Sequence, residues 1–138
     1  MIEAIAQFGV IPRRRDGDRV EVLLITSRDT RRWVVPRGNP IRGCSPAEAA
    51  AREAFEEAGI RGVVSMEPLG SYRYEKRRPL GRSVPAEVQI FAMDVTEEFE
   101  EWPEMRERER RWFGPKEAAA AVAEPDLASL ILSAGGSG

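Results

Sequence analysis

Three glutamates, Glu53, Glu56 and Glu57, stand at spacings of three, four and one in a stretch that reads as helix. Spacings of three and four bring carboxylates together on one flank of a helix, where each like-charged pair costs a few tenths of a kcal/mol. A hard divalent cation would offset that repulsion. Mg²⁺ suits the donors, because it prefers carboxylate oxygens, keeps several waters and completes its shell with substrate phosphate; Mn²⁺ is the alternative ion. A second account of the same residues is a solvated acidic face on which Arg52 pairs with Glu56 one turn on. With no histidine and one cysteine, Cys44, the chain excludes the common His and Cys zinc patterns and an internal disulfide, so metal chemistry has to use oxygen ligands.

The helix that must carry these carboxylates is well marked. Ser45-Pro46-Ala47-Glu48 supplies an N-cap serine, proline at the first helical position and glutamate at the third, which together make a capping box. Gly59 supplies a left-handed end. At about 100° per residue, Ala47, Ala50, Ala51, Ala54, Phe55 and Ala58 fall in one arc roughly 140° wide, the face expected to pack on a sheet. Upstream, the sequence predicts strands over Ile2–Ile11 and Val20–Thr26, joined as a hairpin at Asp16-Gly17, with Arg13, Arg14 and Arg15 in a solvated loop. Trp33-Val34-Val35 reads as a strand stopped by Pro36 and followed by a long loop. Downstream, strands are expected over Val63–Tyr74 and Ala86–Val95 and at Trp112-Phe113. Helices are expected over Lys116–Ala123 and Asp126–Ser133. Residues 134–138, rich in glycine and serine, read as a disordered tail beyond a single domain of residues 1–133.

Taken together, Gly38 and the run Arg52-Glu53-Ala54-Phe55-Glu56-Glu57-Ala58-Gly59-Ile60 resemble the Nudix box. That pattern is glycine, five residues, glutamate, seven residues, then Arg-Glu-apolar-any-Glu-Glu-any-Gly-apolar. Six of its invariant positions match at the correct spacing, and Cys44 stands where the first glutamate belongs. In the family that glutamate supports the loop and the box arginine more than it binds metal, so its replacement leaves Arg52 without its usual partner. Val22–Arg28, Arg32–Pro36, Glu101-Trp102 and Arg111–Phe113 are similar to the branch that hydrolyses diphosphoinositol and diadenosine polyphosphates.

The resemblance implies an α/β fold, an α/β/α sandwich with a mixed sheet and the box as a loop-helix-loop. It further implies a metal-dependent enzyme that cuts a P–O–P bond in a dinucleoside polyphosphate or related polyphosphate. Glu53, Glu56 and Glu57 would hold the metal, with Arg52 completing the catalytic set and Glu53, Glu75 and Glu87 as candidate bases. Nucleoside triphosphates and nucleotide sugars are alternative substrates, and a non-catalytic ligand-binding module is the alternative from another class.

A substrate carrying several negative charges calls for arginine and lysine beside the metal. Arg28, Arg32, Arg37, Gly38, Lys76 and Arg77 are the candidates for contact with it. Tyr72, Tyr74 and Trp102 are placed either to stack on a base or to pack in the core, and the alternating charges from Arg106 to Arg111 read as a solvated stretch. Lysine plus arginine total 21 against 23 aspartate plus glutamate, so the net charge of −2 gives no basis for DNA or acidic-membrane binding. Without a signal-like start or a membrane-length apolar run, the expectation is a cytoplasmic monomer or homodimer.

Overall fold

A computed structural model describes residues 3–136. The chain opens with a hairpin of strands β1 (Ile5–Asp16) and β2 (Arg19–Thr26), turned by Gly17 at φ +65°. The turn falls where the Asp16-Gly17 pair predicts it. β1 runs on through Arg13, Arg14 and Arg15, which are therefore strand residues and not a loop: Arg13 pairs with Asp94 at 2.6 Å and Arg14 with Glu21 at 2.8 Å. Cross-strand ion pairs make extended backbone tolerable for such a run.

β3 (Trp33–Val34) lies against β2, and β4 (Arg37–Gly38) lies against β1 in a segment expected to be loop. Gly9 explains the second pairing. A Cβ at Gly9 would come within 2.6 Å of the Pro36 carbonyl, which accepts a hydrogen bond from the Val10 N–H at 3.1 Å. Only a residue without a side chain lets the two backbones approach so closely.

Helix α1 (Pro46–Ala58) has the full capping box, with Glu48 N–H donating to Ser45 Oγ and Ser45 N–H donating to Glu48 Oε1, and Gly59 ends it at φ +66°. The face it buries differs from the expected arc. Ala47, Ala49, Ala50, Ala54, Glu57 and Ala58 are buried, whereas Ala51 and Phe55 sit half-buried at its edge, Phe55 meeting Phe99 edge-on at 5.5 Å. Alanines bring the helix close to the sheet, and the inward set includes a carboxylate.

The region expected as one strand over Val63–Tyr74 is two: β5 (Ile60–Val64) and β6 (Gly70–Arg77), both antiparallel to β7 (Ser83–Glu98). β7 runs parallel to β1 from Ile5↔Ala86 to Arg13↔Asp94, which makes the sheet mixed. β8 (Arg110–Phe113) pairs with β2. α2 (Pro115–Ala121) and α3 (Pro125–Gly136) follow.

Side chains alternate across the sheet as a period of two requires. Val22 and Leu24 join Ile11, Val88, Ile90, Leu127 and Ile131 on the α2–α3 side; Leu23 and Ile25 join Val10, Ala50, Ala54 and Phe91 on the α1 side. Both faces are thus covered, giving a three-layer α/β/α arrangement, and each fully buried aliphatic side chain contributes about 1.5–3 kcal/mol.

α3 takes in residues 134–136, which the glycine-rich composition assigned to a disordered tail. Ala134 is buried and its carbonyl accepts from Arg13 Nη1 at 2.9 Å, while Gly135 lets Pro115 approach where a Cβ would meet Pro115 Cγ at 2.8 Å. Residues 137–138, like Met1 and Ile2, lie outside the described residues.

Replacing the N-cap should measure how far α1 depends on it. Ser45→Ala is expected to lower stability by about 1 kcal/mol, read as a shifted urea midpoint at unchanged slope.

Candidate functional site

Glu53 and Glu57 leave the same flank of α1 one turn apart and enter a cleft of about 400 Å³. Arg37 and Gly38 of β4, Arg28 and Arg32 of the β2–β3 connection, and Lys76 and Arg77 at the end of β6 line its remaining walls. Eight of the residues expected to act on a phosphorylated substrate therefore do converge. Arg52 and Glu56 do not. Both are exposed, and they line a separate hollow with Cys44, Glu48, Phe55 and Arg61. The reason is helical geometry: a residue one position from Glu57 points about 100° away from it.

Gly38 owes its identity to Glu53. A Cβ at position 38 would fall within 2.6 Å of Glu53 Cγ and overlap its carboxyl group, so the glycine leaves the space that the carboxylate fills.

Glu57 is buried, with 7% of its surface exposed. Its Oε1 accepts the Arg37 backbone N–H at 3.3 Å, and Oε2 lies 3.9 Å from Arg108 Nη2. Burial nevertheless dominates: it pushes the carboxyl up from 4.5 to about 8, with Arg108 opposing and Glu53 and Glu104 reinforcing the rise. Glu53 is raised as well, first by burial and then by Glu56 and Glu104, against the pull of Arg108. Two carboxylates one turn apart, raised chiefly by burial, are a donor set suited to a hard divalent cation. Among the described residues no three carboxylate or thiol groups are gathered tightly enough to hold an ion as they stand.

Of the expected substrate contacts, several are engaged elsewhere. Arg28 pairs with Glu107 at 3.2 Å, and Arg32 donates to Thr30 Oγ1 at 3.2 Å. Arg37 donates to the Tyr72 hydroxyl at 2.9 Å and lies 3.7 Å over the Tyr74 ring, so its guanidinium organises the wall. Tyr74 in turn donates to Gln7 at 2.7 Å, and Gln7 to Asn39 at 3.1 Å. Among the described residues no ion pair engages Lys76 or Arg77. Tyr72 is a core residue, and Trp102 is a strut: its Nε1–H donates to the Glu57 carbonyl at 3.1 Å, and Arg110 lies 4.0 Å over its ring. Of the candidate bases, Glu53 and Glu75 line the cleft; Glu87 is held by Arg73 at 2.9 Å away from it.

Glu104 and Arg108 escaped the sequence reading. Both line the cleft, joined at 2.8 Å, and Arg108 also donates to the Thr26 carbonyl at 3.1 Å. The Arg106–Arg111 run is thus not uniformly solvated, for Arg108 and Arg110 turn inward. The signal available was the spacing of four between Glu104 and Arg108, which suits an ion pair.

Comparison with known proteins places this arrangement. Residues 5–133 match the NUDIX domain model, and the chain belongs to that family. Among solved structures it superposes on a C. elegans Ap4A hydrolase with a TM-score of 0.64 at 19% identity, covering 96% of this chain and 98% of that one. The NUDIX domain of Shewanella oneidensis NrtR, solved with ADP ribose, gives 0.70 at 13% identity over 97% and 88%. Both likenesses establish the α/β Nudix fold. In sequence, the chain is 38% identical over 107 residues to Nudix hydrolase 12, mitochondrial, of Arabidopsis thaliana, covering 73% of this chain and 51% of that protein. It is 35% identical over 101 residues to the Bos taurus diphosphoinositol polyphosphate phosphohydrolase 3-beta, covering 71% and 57%. The chain spans about half the length of these relatives. Several relatives carry mitochondrial names and one a chloroplastic name, so family membership assigns no compartment, and no helix among the described residues is long and apolar enough to cross a membrane.

The raised Glu57 carboxyl predicts a pH-dependent stability. Its folded value lies above its unfolded one, so the native state holds the extra proton: stability is fully present below about 4.5 and is lost as pH rises toward about 8. In the presence of chelator, the unfolding free energy should fall through this window by up to about 1.4 kcal/mol per pH unit. Glu57→Gln should flatten that slope in urea titrations at stepped pH; an unchanged slope would rule Glu57 out as its source.

Proposed function

We propose that this chain is a divalent-metal-dependent hydrolase that cleaves a P–O–P bond in a dinucleoside polyphosphate or a related polyphosphate compound. The observation that carries the reading is a pair of buried or half-buried carboxylates, Glu53 and Glu57, lining one cleft with Lys76 and Arg77, which make no ion pair among the described residues. Glu53 and Glu57 would hold Mg²⁺ or Mn²⁺, with Glu56 adding negative charge from the outer flank. When bound, the cation offsets phosphate charge and makes water a better nucleophile.

The chain's own groups supply the rest. Lys76 and Arg77 bind phosphate oxygens directly, and Arg28 and Arg32 extend the positive wall while tethered to Glu107 and Thr30. Arg37, locked between Tyr72 and Tyr74, fixes the strand whose N–H holds Glu57. Of the candidate bases, Glu53 and Glu75 line the cleft and would accept a proton from the attacking water. Arg52, exposed on the helix flank beside Cys44, is assigned a supporting part through the box loop and no contact with substrate.

The reading is tested by product analysis with Mg²⁺ on diadenosine polyphosphates, nucleoside triphosphates, nucleotide sugars and a diphosphoinositol polyphosphate. Wild type is expected to cleave one class, and Glu57→Gln to lose roughly 10²-fold or more of that rate. Folded wild type that cleaves none of them with either ion overturns the hydrolase and favours a ligand-binding module. Gly38→Ala separates site from fold: the added methyl displaces the Glu53 carboxyl, so activity should drop at least about tenfold while the melting temperature moves little.

A further inference from the structure

Arg108 has no counterpart among the residues that the box pattern assigns. It sits in the irregular segment between β7 and β8, yet its side chain is only 10% exposed. Nε donates to Glu104 Oε1 at 2.8 Å, Nη1 to the Thr26 carbonyl at 3.1 Å, and Nη2 lies 3.9 Å from Glu57 Oε2. Glu104 is itself tied to α1, its backbone N–H donating to the Glu56 carbonyl at 3.0 Å. The guanidinium is therefore held from two sides against the carboxylate at the foot of the cleft.

Two of these three contacts are close and well made, while the one to Glu57 is long. A guanidinium in full bidentate contact with a carboxylate lies about 2.7–2.9 Å away. Arg108 is anchored on Glu104 and Thr26 and leans toward Glu57 without closing on it. That geometry leaves the carboxylate partly neutralised and still open on its cleft side. A divalent cation arriving there would meet a fixed positive charge a few ångströms from its ligand, and unit charges at such distances interact by kcal/mol amounts near a protein surface.

We propose that Arg108 is a built-in counter-cation to Glu104 and to the ionised form of Glu57, and that it sets a lower metal affinity than the carboxylates alone would have. It is a positioning residue: it acts through Glu57 and need not touch substrate. The inference rests on the metal reading of the cleft given above.

The test is Mn²⁺ binding, with the metal alone, followed by electron paramagnetic resonance and by the melting-temperature gain on adding Mn²⁺. Arg108→Gln should melt lower without metal, bind Mn²⁺ on the order of tenfold more tightly and gain more from it, while Arg108→Lys, which keeps the charge, stays near wild type. Equal or weaker binding by Arg108→Gln overturns this inference alone; no Mn²⁺ binding by either wild type or variant overturns it together with the metal reading. A second measurement is independent of whether Arg108→Gln folds: in wild type the Arg108 Nε–H resonance should shift as diamagnetic Mg²⁺ is titrated to saturation. A resonance unmoved at saturating metal overturns the proposal.

Discussion

The burial of the Glu57 carboxylate is the constraint around which this molecule is arranged. An ionised carboxylate removed from water is costly unless hydrogen bonds and charge replace what it loses. Here the replacements come from two separate parts of the chain: the Arg37 N–H of β4 and the Arg108 guanidinium from the segment before β8. Each of these requires its own support. β4 reaches α1 because Gly9 lets its backbone approach β1, and the segment before β8 is tied down by Trp102 Nε1 on the Glu57 carbonyl and by Glu104 on the Glu56 carbonyl.

Close approach recurs as the device that brings these parts together. The sheet-facing side of α1 is almost all alanine, so the helix lies near enough to the strands for a carboxylate at its edge to reach β4. Gly38 removes a methyl group where Glu53 stands. Gly59 removes one where Trp102 packs, a Cβ there falling 2.6 Å from Trp102 Cδ2, and its φ of +66° suits glycine for a second reason. Two glycines of the box are thus spacers for particular side chains, and their identity follows from neighbours distant in sequence.

That distinction explains what was legible before the structure. Ser45, Pro46, Glu48 and Gly59 act on backbone within one turn, so their spacing alone located α1, and the β-branched apolar run Val20–Thr26 located a buried strand, which the structure covers on both faces. The helix face was slightly wrong because apolarity ranked Phe55 above Glu57, and only the cleft makes Glu57 an inward residue. Arg13–Arg15 were misread because their partners, Glu21, Asp94 and Glu98, lie on strands whose register no local pattern reveals. Arg108 was hidden for the same reason. Nothing between residues 106 and 111 distinguishes the arginines that turn inward, Arg108 and Arg110, from those that face solvent, and the contact of Arg108 with Glu57 spans a long stretch of chain.

The charge balance of the cleft shows why the box cannot be read alone. Glu53, Glu57 and Glu104 line one cleft and raise one another's charge cost, and Arg108 pairs with Glu57 and Glu104 among them. A buried ion pair of this kind contributes little net stability, since the desolvation of both partners consumes most of the Coulomb gain, and an apolar pair of equal volume would serve a fold as well or better. An apolar pair would not, however, leave a carboxylate at the foot of an open cleft. On the counter-cation proposal, the long Glu57–Arg108 distance is a state prepared for exchange: enough positive charge to keep the acid folded into place, and too little to satisfy it.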